Sequence, residues 1–177
     1  METKVDMVEK ILKIAASYIG QREISGNKGW NDGNFWAKMR TTGWSSGQSW
    51  CAYFTELVWT EAYEGSDLKK SVISLFSASA TATYANFSGS KFFKVGKVAR
   101  PGALAVWRYG VGWRGHIGIV ESVKGSTFIC IEGNTNNAGE REGVMVLRKT
   151  RRTDVKHSGS GLNLIGFIYP NVDNSLS

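Results

Sequence analysis

The chain has 177 residues, 42% of them hydrophobic and 21% charged, enough to bury roughly 70% of its unfolded surface. Lys and Arg total 22 against 15 Asp and Glu, and the resulting net charge of +7 favours an anionic partner such as nucleic acid, an acidic membrane or a cell-wall polymer. Cys51 and Cys130 are too few for a disulfide framework and lack the paired spacing of a zinc site, and no run of 18 apolar residues offers a membrane span. From Val8, the residues Val8, Ile11, Leu12, Ala15, Tyr18 and Ile19 recur at helical spacing, with Thr3 and Asp6 as a capping box ahead of them and Gly20 as the expected end. Acidic Glu2, Asp6 and Glu9, followed by Lys10 and Lys13, leave no secretory h-region, so the expectation is cytoplasmic synthesis without a signal peptide and export by some other route.

Ser25 to Asn34 is dense in Gly and Asn and reads as an ordered loop. It offers a single carboxylate, Asp32, which is poor ligand chemistry for calcium, and no metal is expected. A short helix over Phe35 to Met39 leads to the loop Thr41 to Ser49. The next helix, Cys51 to Tyr63, is apolar on nearly every side and is therefore predicted to be buried. Ser74 to Phe87 is helix-like although rich in Ser, Thr and Ala, and Lys91, Lys94 and Lys97 follow in a basic linker.

After Pro101-Gly102 the pattern changes to short β-branched and aromatic runs: Ala103 to Arg108, His116 to Val123, Thr127 to Glu132, Val144 to Lys149 and Leu164 to Tyr169. Helices followed by an antiparallel sheet of about five strands make an α+β fold. Arg151 to Gly161 reads as a basic loop. Residues 1–170 form one expected domain, and 171–177 a polar tail.

The chemistry centres on Cys51, where a polar loop meets a helix start. Unpaired N–H groups and the positive end of the macrodipole at such a position favour thiolate over thiol. A thiolate that attacks an amide needs a base, and only two histidines exist. His116 begins an apolar strand, where a polar ring is out of place unless it faces a site, whereas His157 lies in the basic loop as a solvated side chain. Taking the hairpin turn at Lys124-Gly125-Ser126, with its centre near 124.5, reflects His116 onto about residue 133. Alternation then places Glu132 and Asn134 on one side, and either can accept an imidazole N–H. Gln48 is a candidate oxyanion donor beside the Cys51 N–H, or else a loop-stabilising amide. Cys130, inside Phe128 to Ile131, reads as a small hydrophobe. Among the tryptophans near these motifs, Trp50 and Trp113 are the candidates for contact with sugar faces.

Trp50-Cys51-Ala52-x-Phe54, Pro101-Gly102, Gly115-His116-Ile117-Gly118-Ile119-Val120-Glu121 and Glu132-Gly133-Asn134-Thr135, in that order, resemble the CHAP family of cysteine- and histidine-dependent amidohydrolases and peptidases. The resemblance implies a papain-like packing of the cysteine helix on the sheet, with Cys51 as nucleophile, His116 as base, and Glu132 and Asn134 as orienting residues. It also implies a peptidoglycan substrate, cleavage as an endopeptidase or N-acetylmuramoyl-L-alanine amidase, and no cofactor. A phage-type lysin and an antibacterial effector share this chemistry, with a holin, a secretion apparatus or an immunity protein as the corresponding partner. Ala103 departs from the acidic residue usual after the Pro-Gly pair. The alternative is a noncatalytic basic module that binds cell wall or nucleic acid through Lys91, Lys94, Lys97 and Arg148 to Arg152; nucleic acid is the less expected of the two.

Overall fold

The computed structural model describes residues 4–135 and 143–172, so Thr3, on which the expected capping box depends, and most of the polar tail lie outside the described residues. Five helices precede six strands: α1 (Lys4–Ser17), α2 (Gly33–Thr41), α3 (Cys51–Ala62), α4 (Lys69–Leu75), α5 (Ala80–Ser88), β1 (Lys94–Gly96), β2 (Leu104–Tyr109), β3 (Gly115–Lys124), β4 (Thr127–Thr135), β5 (Met145–Arg152) and β6 (Leu162–Tyr169). The strands form one antiparallel sheet in the order β1-β6-β2-β3-β4-β5. The fold is α+β, as the change of pattern at Pro101 predicted.

Helix α3 is buried along almost its whole length, and its apolar surface meets α1 on one side and β3 and β4 on another. Farther along, Trp59 anchors an aromatic cluster with Phe76, Phe87 and Phe93 at ring separations of 5.7–6.2 Å. The sheet alternates cleanly. Leu104, Val106, Ile117, Ile119, Ile131 and Ile168 join the helices in one core, while Ala103, Ala105, Trp107, Val120, Phe128, Cys130 and Phe167 make a second. No helix among the described residues is long and apolar enough to cross a membrane.

Three expectations are corrected. The helix predicted over Ser74 to Phe87 is two helices, because serine side chains offer the backbone other partners: the Ser79 hydroxyl accepts from Ala82 N–H at 3.2 Å, capping α5, and the Ser77 hydroxyl accepts from Ser79 N–H at 3.2 Å. The basic linker contains β1, a sixth strand paired with β6 through main-chain atoms. The segment expected to be a loop from Arg151 instead continues β5 through Arg152, since pairing with β4 carries on to Thr127.

Candidate active site

The loop before α3 turns the start of that helix into an open end. Trp50 occupies the cap position with no side-chain hydrogen bond to the first turn, and the first helical bond runs from Phe54 N–H to Trp50 C=O at 2.9 Å. The N–H groups of Cys51, Ala52 and Tyr53 therefore face the site without a capping side chain. Trp50 itself is fully buried, with its indole N–H donating to Glu23 Oε2 at 2.7 Å and its ring edge-on to Trp30, Phe35 and Phe54. That burial overturns the expectation that Trp50 meets a sugar; the residue is a wedge that fixes the cysteine loop on the core.

β3 brings His116 to this helix end. The Cys51 thiol is one hydrogen-bond partner of the ring, and Nε2 lies 2.7 Å from Glu132 Oε2. With Nε2–H directed at the carboxylate, Nδ1 is the nitrogen left for the sulfur. The hairpin register differs from the expected one: a bulge between Val120 and Ser122 and a tight turn at Gly125-Ser126 shift β4 along β3. Glu132 consequently stands across from Gly118 and reaches His116 diagonally. A side chain at Gly118 would begin 2.6 Å from Glu132 Cγ and 2.8 Å from Cys130 Sγ, so only glycine leaves room for the carboxylate there.

Glu132 is wholly buried and answered on both oxygens. Arg151 donates from Nε to Oε1 and from Nη2 to Oε2, each at 2.7 Å, and the Cys130 thiol is a further hydrogen-bond partner. The Arg151 guanidinium also lies 5.1 Å from the Trp107 ring centroid, and Trp107 lies 5.8 Å from the His116 ring. Burial alone would raise the Glu132 carboxyl; the charge of His116 and the bonds from Arg151 and His116 outweigh it and hold it well below the usual carboxylate range. Burial likewise disfavours a charged imidazole, yet the Glu132 charge and the ring's hydrogen bonds with Cys51 and Glu132 raise His116 well above its ordinary value. Cys130 is pushed up by burial and by Glu132, so it stays a thiol.

Asn134 does not share Glu132's task. Its φ of 53° and the shift in β4–β5 register between Glu132 and Thr135 break the strand alternation. With the amide oriented to satisfy both of its ends, the oxygen accepts from Trp50 N–H at 3.3 Å and the nitrogen donates to Gly143 C=O. Asn134 thus ties the end of β4 to the cysteine loop. Gly133 permits the approach, because a Cβ there would lie 2.7 Å from Phe54 and 2.8 Å from Trp50.

Gln48 stabilises the loop before α3. Its Oε1 accepts from Ser45 N–H at 2.9 Å, Ser45 Oγ at 3.1 Å and Tyr53 OH at 3.2 Å, which stabilises the loop and fixes the plane of the amide while its Nε2 makes no hydrogen bond among the described residues. Trp113 is 73% exposed in the turn between β2 and β3, held by Thr81 Oγ1 donating to its carbonyl at 2.8 Å. Asp32 is an N-cap, accepting from Asn34 and Phe35 N–H at 3.0 Å each. His157 is exposed in the loop before β6. Arg151 is the residue that sequence reasoning missed, and extending β5 by two residues would have found it: strand alternation then puts it on the face of Phe128, Cys130 and Glu132.

The CHAP domain model matches residues 42–134, just over half of the chain. The chain belongs to the CHAP family. The matched segment holds Gln48, Cys51, His116, Glu132 and Asn134, and stops before the CHAP domain's β5 and β6. Among solved structures, the crystal structure of a wild-type endolysin, LysIME-EF1, superposes with a TM-score of 0.51 at 17% identity, covering 99% of this chain and 68% of that one; at this identity the likeness is one of fold. No curated protein matches the sequence.

Proposed function

We propose that this CHAP protein is a peptidoglycan hydrolase that cleaves an amide bond through a Cys51 thioester. The observation that carries the reading is the convergence of an uncapped helix start, a sulfur, an imidazole and a buried carboxylate at one point. The Cys51 thiolate attacks the carbonyl carbon, and the oxyanion is received by Cys51 N–H and by Gln48 Nε2; one such donor is worth about 3 kcal/mol. The His116 imidazolium passes its proton to the leaving amine, and the C–N bond breaks to give the acyl-enzyme. Water then loses a proton to neutral His116 as it attacks the thioester, and the thiolate leaves as the carboxylic acid is released. Glu132 holds the ring in the required tautomer throughout. Asn134 acts one step removed, by fixing the loop that carries the nucleophile.

Trp113, exposed three residues before His116, offers the aromatic face for a sugar or stem. A phage-type lysin or an antibacterial effector, working on the wall after release or export, fits this chemistry, with residues 1–170 as one catalytic unit. The noncatalytic basic alternative is weakened by the partners of its own charges: Arg148 pairs with Glu121, Arg151 with Glu132 and Arg152 with Asp154.

The test is mass spectrometry of purified peptidoglycan digested by the wild type and by Cys51→Ala. New amino termini in the wild-type digest are expected, assigning the bond as cross-bridge, stem or muramoyl amide, with none from the folded variant. Wild-type products from Cys51→Ala would refute the mechanism.

A further inference from the structure

Arg151 lies outside the segment that matches the CHAP domain, on the edge strand β5, yet it makes closer contact with the candidate site than several residues within the match. Its two nitrogens each lie 2.7 Å from a different oxygen of Glu132, and one of those oxygens, Oε2, is also the partner of His116 Nε2 at 2.7 Å. One carboxylate oxygen is thus shared between a guanidinium and an imidazole. The arginine is held over Trp107, whose other neighbours are His116 and, in a stacked pair at 6.2 Å, Phe128. A buried ion pair is a weak source of stability, since desolvation consumes most of the attraction. What this one does is fix the position and the charge of the group behind the imidazole.

We propose that Arg151 is a positioning residue for this chemistry: its fork locks Glu132 with Oε2 on the His116 ring and takes up part of the carboxylate's charge, which sets the upper pH limit of activity. The inference rests on the Cys51–His116 reading given above. Without Arg151, the whole negative charge of Glu132 faces His116 and a positive charge leaves its surroundings, so the imidazolium gives up its proton less readily, both to the leaving amine and to alkaline solvent. The other titratable or charged groups around the pair are Cys51 on α3, Cys130 on β4, Tyr109 on β2, Glu121 on β3, itself paired with Arg148, and Lys149, which lies opposite Cys130 on β5. Arg151 is the cation bonded to the carboxylate itself.

The test is kcat/KM for peptidoglycan hydrolysis from mildly acidic to strongly alkaline pH, with Arg151→Met, Arg151→Gln and Arg151→Lys compared by circular dichroism beforehand. Arg151→Met is expected to lower kcat/KM by about 10- to 100-fold at neutral pH, and to move the alkaline limb upward by about one pH unit. Arg151→Gln replaces it if the methionine variant fails to fold. Arg151→Lys, which keeps the charge and loses the fork, is expected to keep the wild-type limb with a reduced kcat. A purely structural arginine would lower activity equally at every pH, and a folded neutral variant whose alkaline limb is unmoved or moves down overturns the proposal. A second readout needs no turnover: in the inactive Cys51→Ala background, NMR titration of the two histidine rings should show His116, and not His157, titrating higher when Arg151→Gln is added. Identical His116 titrations overturn the proposal as well. If Cys51→Ala itself retains hydrolysis, the Cys–His reading fails whatever Arg151 does; if it is inactive and the limbs stay fixed, only the role of Arg151 fails.

Discussion

The end of β4 and the middle of α3 each bury a glutamate, and the two side chains have opposite surroundings. Glu132 is met by Arg151 on both oxygens, by His116 and by the Cys130 thiol, and its carboxyl is held far down. Glu56, one turn and a half along the helix from Cys51, is buried with no bonded partner among the described residues, and burial alone raises its carboxyl to about 7. Burial without partners therefore raises one carboxyl to about 7, while the more deeply buried one, supplied with partners, stays an anion. The difference lies in the partners, and partners were gathered where a charge is needed to hold an imidazole.

Removing the charge at Glu132 should give the largest effect. Glu132→Gln keeps the shape and leaves Arg151 and His116 without their anion, so kcat should fall by about 100-fold or more, and stability at neutral pH by about 3 kcal/mol. The sign with pH follows from the depressed carboxyl: its stabilisation is present above about 4.5 and is lost as the pH falls toward about 2. Urea unfolding of the two proteins should therefore diverge at neutral pH and converge in acid. A constant difference at all pH values would mean that the ion cluster is not what the mutation removed.

Gly118→Ala disturbs the same site without touching its charges. The new methyl would begin 2.6 Å from Glu132 Cγ and 3.2 Å from Ile131 C=O, so the carboxylate must shift against fixed backbone. A displacement of well under 1 Å at such a relay should cost about tenfold in kcat, with KM little changed. Steady-state kinetics on soluble peptidoglycan fragments would measure it.

The contrast also accounts for what the sequence disclosed. Cys51 and His116 stood out because each is a polar group at the edge of an apolar element, a local anomaly that needs no coordinates. The α+β layout was legible for the same reason, since helical spacing gives way to strand alternation at Pro101. Glu132 and Asn134 were both visible, but not the division of labour between them, because one positive φ at Asn134 and one bulge near Glu121 decide which side chain points where. Arg151 was hidden by a misplaced strand end: two residues of β5 read as loop concealed the arginine that reaches Glu132. Trp50 was misjudged because its partner, Glu23, is 27 residues earlier in the chain, beyond the reach of any local pattern.

At Glu56 the expected effect is on stability alone. A carboxyl raised in the folded state weakens the fold as the pH climbs from about 4.5 through about 7, and the loss persists above that. Glu56→Gln removes the charge that has no partner and should stabilise the protein by about 2 kcal/mol at pH 8, with little change at pH 4 and hydrolysis near the wild-type level. Thermal unfolding at the two pH values checks this. A variant stabilised equally at both would show that packing, not ionisation, separates glutamate from glutamine there.

The smallest change concerns the thiol beneath Glu132. Cys130→Ser keeps a donor to the carboxylate but replaces a large, weakly polar sulfur with a smaller hydroxyl in the cluster of Val120, Phe128 and Phe167. The stronger donor and the poorer packing act in opposite directions, so stability should fall by about 1 kcal/mol and kcat/KM should stay within about threefold of wild type. The same variant separates the two thiols chemically. Cys130 is fully buried and protonated, so iodoacetamide on the native wild type should label Cys51 alone and abolish lysis. Native Cys130→Ser should react at the same rate and be inactivated just as completely. Residual lysis after complete labelling of that variant would detach the chemistry from Cys51, whereas faster labelling would mean that the hydrogen bond from residue 130 feeds through Glu132 and His116 to the nucleophile.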